Sequence, residues 1–389
     1  MLIKCAQLYP LEVPMSRPIR MAGETLTHAQ TLLIRLIDER GNEGWGEASS
    51  APLMTGETLA SIVASTEYLV SRLMGQRVDG PGAIAPMQER VLYANPSAKL
   101  CHETALMDLL AQRQGVPLYQ LLAGTNGQAG EGRLEMLHML ASGDLDGEID
   151  EARRLRRDGY RHWKIKIGSG DTGNDVRRIR AICAELQGDV ISADANQGLS
   201  VDAAAQIAEA GVQSGLSFLE QPFRSSMIEA MATLHQRSGL DLCADESISD
   251  TNDIAAHVQA RAAQGVSLKL IKLGGTQRLV EAGRLCLTSG IHINLACKVA
   301  ETTISAAATA HAGFALGRVA WGFSMSNRYL AQDVCEHPLL PQQGAVTTAQ
   351  VQRPGLGFAP DAARLLEFAS ASLPVRELRA QLTDDRHGG

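Results

Sequence analysis

Hydrophobic and polar residues follow two different rhythms along the chain, and the change comes near residue 130. Residues 2–11 and 31–38 are apolar-rich runs. A polar turn at 39–42 leads into 44–46, which predicts an antiparallel hairpin. Apolar spacing becomes helical over 58–73 and 98–114. Strands followed by helices are typical of a compact α+β domain.

After residue 130, short apolar runs alternate with helical stretches at roughly 25 residues per unit. This alternation predicts a parallel sheet with crossover helices, and eight such units close into a barrel. An open doubly wound sheet is the alternative, but it normally carries a glycine-rich nucleotide loop, and the chain has no G-x-G-x-x-G. The eight runs are residues 134–140, 162–167, 190–193, 216–219, 240–244, 266–270, 291–295 and 319–323.

The length of 389 residues suits two domains. The patterns predict an α/β protein, with an α+β domain over residues 1–125 and a barrel over 126–360. The tail from 361 to 389 returns to a helical pattern, and we expect it to pack back on the first domain.

Composition narrows the class of protein. The hydrophobic share of 45% and charged share of 20% are ordinary for a soluble globular protein. The net charge of -7 argues against a nucleic-acid partner. The seven cysteines form no C-x-x-C pair, which fits a reducing compartment. Since we find neither a signal peptide nor a long apolar run, we expect a cytoplasmic enzyme without a membrane span.

Charged residues stand where the predicted barrel strands end, and barrel enzymes carry their chemistry at those ends. Lys166, Asp194, Glu220, Asp245 and Lys269 follow one another in steps of 28, 26, 25 and 24 residues. Because each step is about one strand–helix unit, we expect these five side chains to converge on one mouth of the barrel.

Three of these side chains form a candidate metal site. Asp194, Glu220 and Asp245 would be costly to bury together without a cation. They offer oxygen ligands only, which suit Mg²⁺ or Mn²⁺ better than zinc. The competing interpretation is that each acid caps the helix after its strand. Three acids in succession between two lysines favour the metal site.

The lysines form a candidate acid/base set. Lys166 and Lys269 bracket the acids in strand order, and Lys164 points to the same strand face as Lys166. Crowded cations and partial burial lower a lysine pKa toward the range of a base. Two such bases could remove and return a proton on opposite faces of a substrate, while the metal stabilises an enediolate. Surface lysines are the alternative.

In combination, five strand-end motifs resemble those of the enolase superfamily, specifically the muconate lactonizing enzyme subgroup of the mandelate racemase/muconate lactonizing enzyme family. The resemblance covers nearly the whole chain. The motifs are Lys164-Ile165-Lys166, Asp194-Ala195-Asn196, Glu220-Gln221-Pro222, Ala244-Asp245-Glu246-Ser247 and Lys269-Leu270-Ile271-Lys272-Leu273-Gly274-Gly275.

The resemblance implies a modified (β/α)₇β TIM barrel with an N-terminal α+β capping domain. It implies Mg²⁺ on Asp194, Glu220 and Asp245, with Lys166 and Lys269 as the acid/base pair. It also implies that two loops of the first domain, near residues 17–28 and 49–57, close over a small-molecule carboxylate substrate. Members of the family commonly assemble from even numbers of subunits, so a homo-oligomer is expected.

Four further residues concern the substrate. Glu301 lies in a stretch that is similar to the family's E-S-x-I, which implies that it faces the pocket. Arg17 or Arg20 could hold a distal carboxylate or lie at the surface. Lys298 is not part of the family pattern; it either adds a cation for a second anionic group or is exposed.

Several overall reactions begin with loss of a proton beside a carboxylate, and the fold does not decide among them. Residues 321–326 lack the D-x-D of the family's dipeptide epimerases, which argues against a dipeptide substrate. We favour a cycloisomerase or a racemase/epimerase of a small carboxylic acid or amino acid derivative. A dehydratase of a hydroxy acid or hydroxyproline-type compound is the alternative. A non-catalytic metal-binding barrel is a third, which the intact series of lysines and acids argues against.

Overall fold

A computed structural model of the chain describes residues 1–21, 24–124, 132–168 and 170–380, except for the side chains of residues 20, 21 and 24. Within these residues, an antiparallel sheet with its helices precedes a ring of eight parallel strands. In the described part of the chain, no helix is long and apolar enough to span a bilayer.

The first domain forms a cap. Its sheet contains β1 (Ile3–Met21), β2 (Glu24–Asp38) and β3 (Glu43–Ser49), and the predicted hairpin joins β2 to β3. Gly46 of β3 lies against a helix so closely that a Cβ there would be 2.0 Å from the carbonyl oxygen of Cys101, which explains why glycine is needed. The cap helices are α1 (Leu59–Leu73), α2 (Pro81–Val91), α3 (Pro96–Gln114) and α4 (Leu118–Ala123).

The barrel strands follow one another around the ring in sequence order, with parallel pairing throughout. After β4 (Arg133–Glu135), they are β5 (Leu137–Leu140), β6 (His162–Lys166), β7 (Val190–Asp194), β8 (Phe218–Glu220), β9 (Leu242–Ala244), β10 (Gly265–Leu268), β11 (His292–Ala296) and β12 (Phe323–Ser324). The helices are α5 (Leu145–Arg157), α6 (Thr172–Glu185), α7 (Val201–Ser214), α8 (Ile228–Ser238), α9 (Thr251–Ala260), α10 (Leu270–Leu273), α11 (Thr276–Thr288) and α12 (Thr303–Leu316).

A parallel bridge between Met136 and Phe323 nearly closes the ring, which confirms the barrel and excludes the doubly wound sheet. Several strands differ in their bounds from the sequence prediction. The run at 134–140 is divided, because β4 pairs antiparallel with β13 (Ala345–Thr347). The strand predicted at 266–270 ends at Leu268. The strand predicted at 319–323 is reduced to the two residues of β12, which begins directly after Gly322, a glycine with a positive φ of 85.

The C-terminal segment returns to the cap. It contains α13 (Ala362–Glu367) and β14 (Arg376–Arg379), and β14 pairs antiparallel with β1, so the tail is only partly helical. The backbone N–H of Glu12 also donates to the carbonyl of Phe368 at 2.8 Å. The domain boundaries at residues 125 and 360 stay a prediction.

Two buried carboxylates of the cap reach into the barrel. Glu103 of α3 accepts hydrogen bonds from the backbone N–H groups of Thr276 and Gln277, at 2.9 and 3.0 Å, at the start of α11. Glu47 of β3 accepts from the N–H groups of Thr302 and Ser305, both at 2.9 Å, at the start of α12. These contacts fix the cap over the barrel.

Candidate active site

A cavity of about 660 Å³ lies at the carboxyl ends of the barrel strands, beneath the cap. The cap contributes Glu12, Gln30 and two stretches, residues 25–28 and 50–54. These two stretches belong to the segments that were expected to cover a substrate. The barrel contributes Leu137, Met139, Lys164, Lys166, Asp194, Asn196, Gln197, Asp245, Glu246, Lys269, residues 296–299, residues 324–326 and Tyr329.

The three predicted acids occupy adjacent strand ends. Asp194 ends β7, Glu220 ends β8, and Asp245 directly follows β9. Their exposed fractions are 2%, 0% and 2%. Because parallel strands present their carboxyl ends on one side, the three carboxylates form a continuous arc of the barrel mouth.

Each carboxylate of this arc faces a lysine. Lys164 Nζ lies 2.5 Å from Glu220 Oε2, and Lys166 Nζ lies 2.5 Å from Asp194 Oδ2. Lys269 Nζ donates to Asp245 Oδ2 at 2.5 Å. The structure therefore brings the predicted lysines and acids into one cluster.

The lysine charges are stabilised in this cluster. Burial disfavours the charged form of Lys269, but the carboxylates of Asp245, Glu246 and Glu220 outweigh it and raise its pKa. The pKa of Lys164 is also raised, because the carboxylates led by Glu220 and Asp194 outweigh burial. The expected lowering of the pKa by crowded cations is not met at Lys269, since anions dominate its surroundings.

Several supporting residues were not singled out from the sequence. Lys272 of α10 donates to Asp245 Oδ1 at 2.8 Å, and burial lowers its pKa. Ser267 donates to Glu220 Oε1 at 2.9 Å. Gln221 Oε1 accepts from the backbone N–H of Asp245 at 2.8 Å. These contacts hold the carboxylates in place.

The donor chemistry of the arc fits a hard divalent cation, since all three acids present carboxylate oxygens. Glu220 Oε2 is buried and lies 2.5 Å from Lys164 Nζ, so this oxygen already faces a cation. Lysine nitrogens contact the acids directly. Among the residues described, no group of three acid, histidine or cysteine side chains is already arranged to bind a metal ion. A metal would therefore replace lysine contacts at these oxygens.

Glu301 is not where the resemblance implied. It is 1% exposed and is not among the residues that line the cavity, so the expectation that it faces the pocket is not met. It lies behind the wall, where burial and the charge of Glu47 raise its pKa to about 8, against the opposing effect of Lys298. Ala300, directly before Glu301, has a positive φ of 74.

The predicted substrate-binding cations have different positions. Lys298 follows β11 and lines the cavity, half-buried. Arg17 is exposed and does not belong to the lining. The side chain of Arg20 lies outside the described part of the structure.

Family models match both domains. The model for "Mandelate racemase / muconate lactonizing enzyme, N-terminal domain" matches residues 6–123, and "Enolase C-terminal domain-like" matches residues 148–364. The chain belongs to the mandelate racemase/muconate lactonizing enzyme family. This confirms the family that the strand-end motifs indicated.

Relatives that resemble the chain include isomerases. Muconate cycloisomerase 1 of Pseudomonas putida is 30% identical over 361 residues, covering 90% of this chain and 94% of that protein. The L-Lys-D/L-Arg epimerase of Methylococcus capsulatus is 30% identical over 349 residues, covering 89% and 95%. The chain is therefore an enzyme of a family whose relatives include racemases, epimerases and cycloisomerases.

Solved structures agree with the fold. The muconate lactonizing enzyme from Pseudomonas fluorescens, complexed with muconolactone, has a TM-score of 0.88 at 27% identity, covering 95% of this chain and 99% of that one. A dipeptide epimerase from Cytophaga hutchinsonii, complexed with Mg and D-Ala-L-Val, has a TM-score of 0.86 at 22% identity and covers 98% and 100%. The second similarity shows the fold alone.

Proposed function

We propose that this chain is a Mg²⁺-dependent isomerase that removes the proton beside a substrate carboxylate, leading to racemisation, epimerisation or cycloisomerisation of a small carboxylic acid or amino acid derivative. The observation that supports it best is the placement of Lys166 and Lys269 at opposite ends of the arc formed by Asp194, Glu220 and Asp245.

Asp194, Glu220 and Asp245 would hold the cation, with Mn²⁺ as a possible substitute. A bound cation would supply positive charge against the negative charge that develops on the substrate carboxylate as its α proton leaves. Lys272, which donates to Asp245 Oδ1 at 2.8 Å, and Ser267, which donates to Glu220 Oε1 at 2.9 Å, would keep the ligands oriented.

Lys166 and Lys269 would carry the proton, each from its own side of the substrate. Their Nζ atoms each lie 2.5 Å from an acid of the arc, so a cation shared among these acids would weaken the hold on both lysines. Lys164 would act through its neighbours by supplying charge beside Lys166 and Glu220. One lysine accepting and the other donating a proton would invert the α carbon, and a single transfer would suffice for cycloisomerisation.

The test is exchange of the α proton in deuterated water with Mg²⁺ present, followed by NMR over a panel of chiral carboxylic acids. Lys166→Ala and Lys269→Ala should each lower turnover by roughly 100-fold or more, because proton transfer by a positioned side chain contributes about 10²–10⁴-fold. In a racemase, each variant should still exchange the enantiomer whose proton faces the lysine that remains.

Lys4→Ala is the matched control, since Lys4 is exposed on β1 and away from the cavity. A chelator should abolish exchange, and added Mg²⁺ should restore it. Full activity of both lysine variants would exclude the mechanism. Restoration by Zn²⁺ alone would exclude the oxygen-ligand site, and absence of exchange with every acid would favour a non-catalytic metal-binding barrel.

A further inference from the structure

The mouth of the barrel has two chemically different halves. One half carries the acids and their lysines on β6 to β10. The opposite half is formed by β11, β12 and β5, which stand next to one another in the ring. A substrate whose reacting carboxylate sits at the acid arc can extend its far end toward this opposite half.

The opposite half is almost free of charge. It contributes Leu137 and Met139 from β5, residues 324–326 from β12 and the segment after it, and residues 296–299 from β11 and the turn that follows. Of these described lining residues, Lys298 has the one charged side chain. Its backbone is held in place, because Ser326 Oγ donates to the carbonyl of Lys298 at 2.7 Å.

Among the described cap residues that line the cavity, Glu12 carries a competing charge. Its Oε1 accepts a hydrogen bond from Ser370 Oγ at 3.2 Å, so it is engaged with the C-terminal segment. His28 is the titratable cap residue besides it, and its Nδ1 lies 3.1 Å from the hydroxyl of Thr27. Among the described lining residues outside the acid half, Lys298 is the lysine or arginine side chain, so an anionic far end suits it and is repelled by Glu12.

We infer that Lys298 is a specificity-determining residue that binds an anionic group, such as a second carboxylate, at the end of the substrate remote from the reacting carbon. The apolar side chains of Leu137, Met139 and Met325 in the same half suit a short aliphatic linker. This inference rests on the proposed function, because it takes the acid arc as the place of the reacting carboxylate.

The test compares three six-carbon acids that differ only at the far end: adipate, hexanoate and 6-aminohexanoate. Calorimetric titration with Mg²⁺ present should show adipate binding about 10-fold or more tightly than hexanoate, since a hydrogen bond between charged groups is worth about 1.5–3 kcal/mol. Lys298→Met, which keeps the chain length and removes the charge, should bring adipate to the affinity of hexanoate. Lys4→Met should keep the preference.

Adipate that binds no tighter than hexanoate to the wild-type protein, including no binding of either, would overturn the role of Lys298. The same holds for a preference that survives Lys298→Met. Tightest binding of 6-aminohexanoate would assign the far end to Glu12 instead. These are binding measurements, so they can fail while Lys166 and Lys269 still control proton exchange, and the two hypotheses remain separable.

Discussion

At the scale of single residues, Glu301 is a buried carboxyl group that no proposed chemical step requires. Its Oε2 atom accepts no hydrogen bond. Burial, together with the charge of Glu47, raises its pKa from 4.5 to about 8, while Lys298 opposes the shift. The side chain is thus neutral in the folded protein at neutral pH, and it loses its proton more readily when the chain unfolds.

This difference predicts a pH dependence of stability. Between pH 4.5 and about 8 the folded state holds a proton that the unfolded state has lost, so the contribution of Glu301 falls as pH rises through this window. Glu301→Gln, which stays neutral, should gain stability relative to wild type by about 1.4 kcal/mol for each pKa unit of the shift. Urea unfolding at pH 5 and pH 9 measures this. An equal effect of the substitution at both pH values would contradict the buried neutral acid.

Residue spacing was enough to predict the acid arc and its lysines, because strand ends in a barrel recur once per strand–helix unit. Lys272 was missed for a physical reason. Residue 272 lies beyond the run at 266–270 that was interpreted as a strand, and the short helix α10 that carries it was not predicted. Because α10 follows β10, Lys269 and Lys272 both reach Asp245. The position of Glu301 depends on a turn that spacing does not encode.

At the scale of elements, α11 begins without a cap of its own. Gly275 at its N-terminus has no side chain, and Glu103 of α3 accepts hydrogen bonds from the N–H groups of Thr276 and Gln277 in its place. A Cβ on Gly275 would be 3.1 Å from Glu103 Cδ, so glycine leaves room for this contact. The carboxylate also suits the positive end of the helix dipole.

We predict that Glu103→Gln lowers the free energy of unfolding by about 1–2 kcal/mol, because it weakens both the N-terminal cap and the dipole interaction. Glu229→Gln is the matched control, since Glu229 is an exposed acid in the first turn of α8 and should change stability by less than about 0.5 kcal/mol. Chemical unfolding of the three proteins at one pH gives the comparison. Equal stabilities of the two variants would contradict the role of Glu103.

The strands and helices of the barrel were predictable because apolar periodicity reports which face of an element is buried. The pairing of cap and barrel was not, because a contact such as Glu103 with Thr276 joins residues 173 positions apart. Local patterns also predicted the bounds of short strands poorly. The strand β12 has only two residues, and its extent is determined by pairing with the neighbouring chain segments rather than by its own sequence.

At the scale of the whole molecule, the cavity exists only while the cap is seated on the barrel. His311 of α12 contributes to that seating through both ring nitrogens. The backbone N–H of Tyr119 in α4 donates to Nδ1 at 3.1 Å, and Nε2 lies 3.1 Å from the carbonyl of Leu356. Nδ1 therefore accepts and Nε2 donates, which requires the neutral ring. Burial correspondingly lowers the pKa of His311 from 6.5 to about 4.

This neutral ring links seating of the cap to acid stability. Between pH 6.5 and about 4 the unfolded chain binds a proton that folded His311 refuses, so stability is lost as pH falls through this window. His311→Gln should be less stable at pH 7.5, because one of two hydrogen bonds is lost, but it should lose less stability on going to pH 4.5. The stability that the substitution preserves between the two pH values should approach about 1.4 kcal/mol for each pKa unit of the shift. His337→Gln, at an exposed position, is the matched control. Urea unfolding at the two pH values measures this loss of stability. If His311→Gln loses as much stability as wild type, the ring accepts a proton in the folded protein. The contact with Tyr119 would then not require the neutral form.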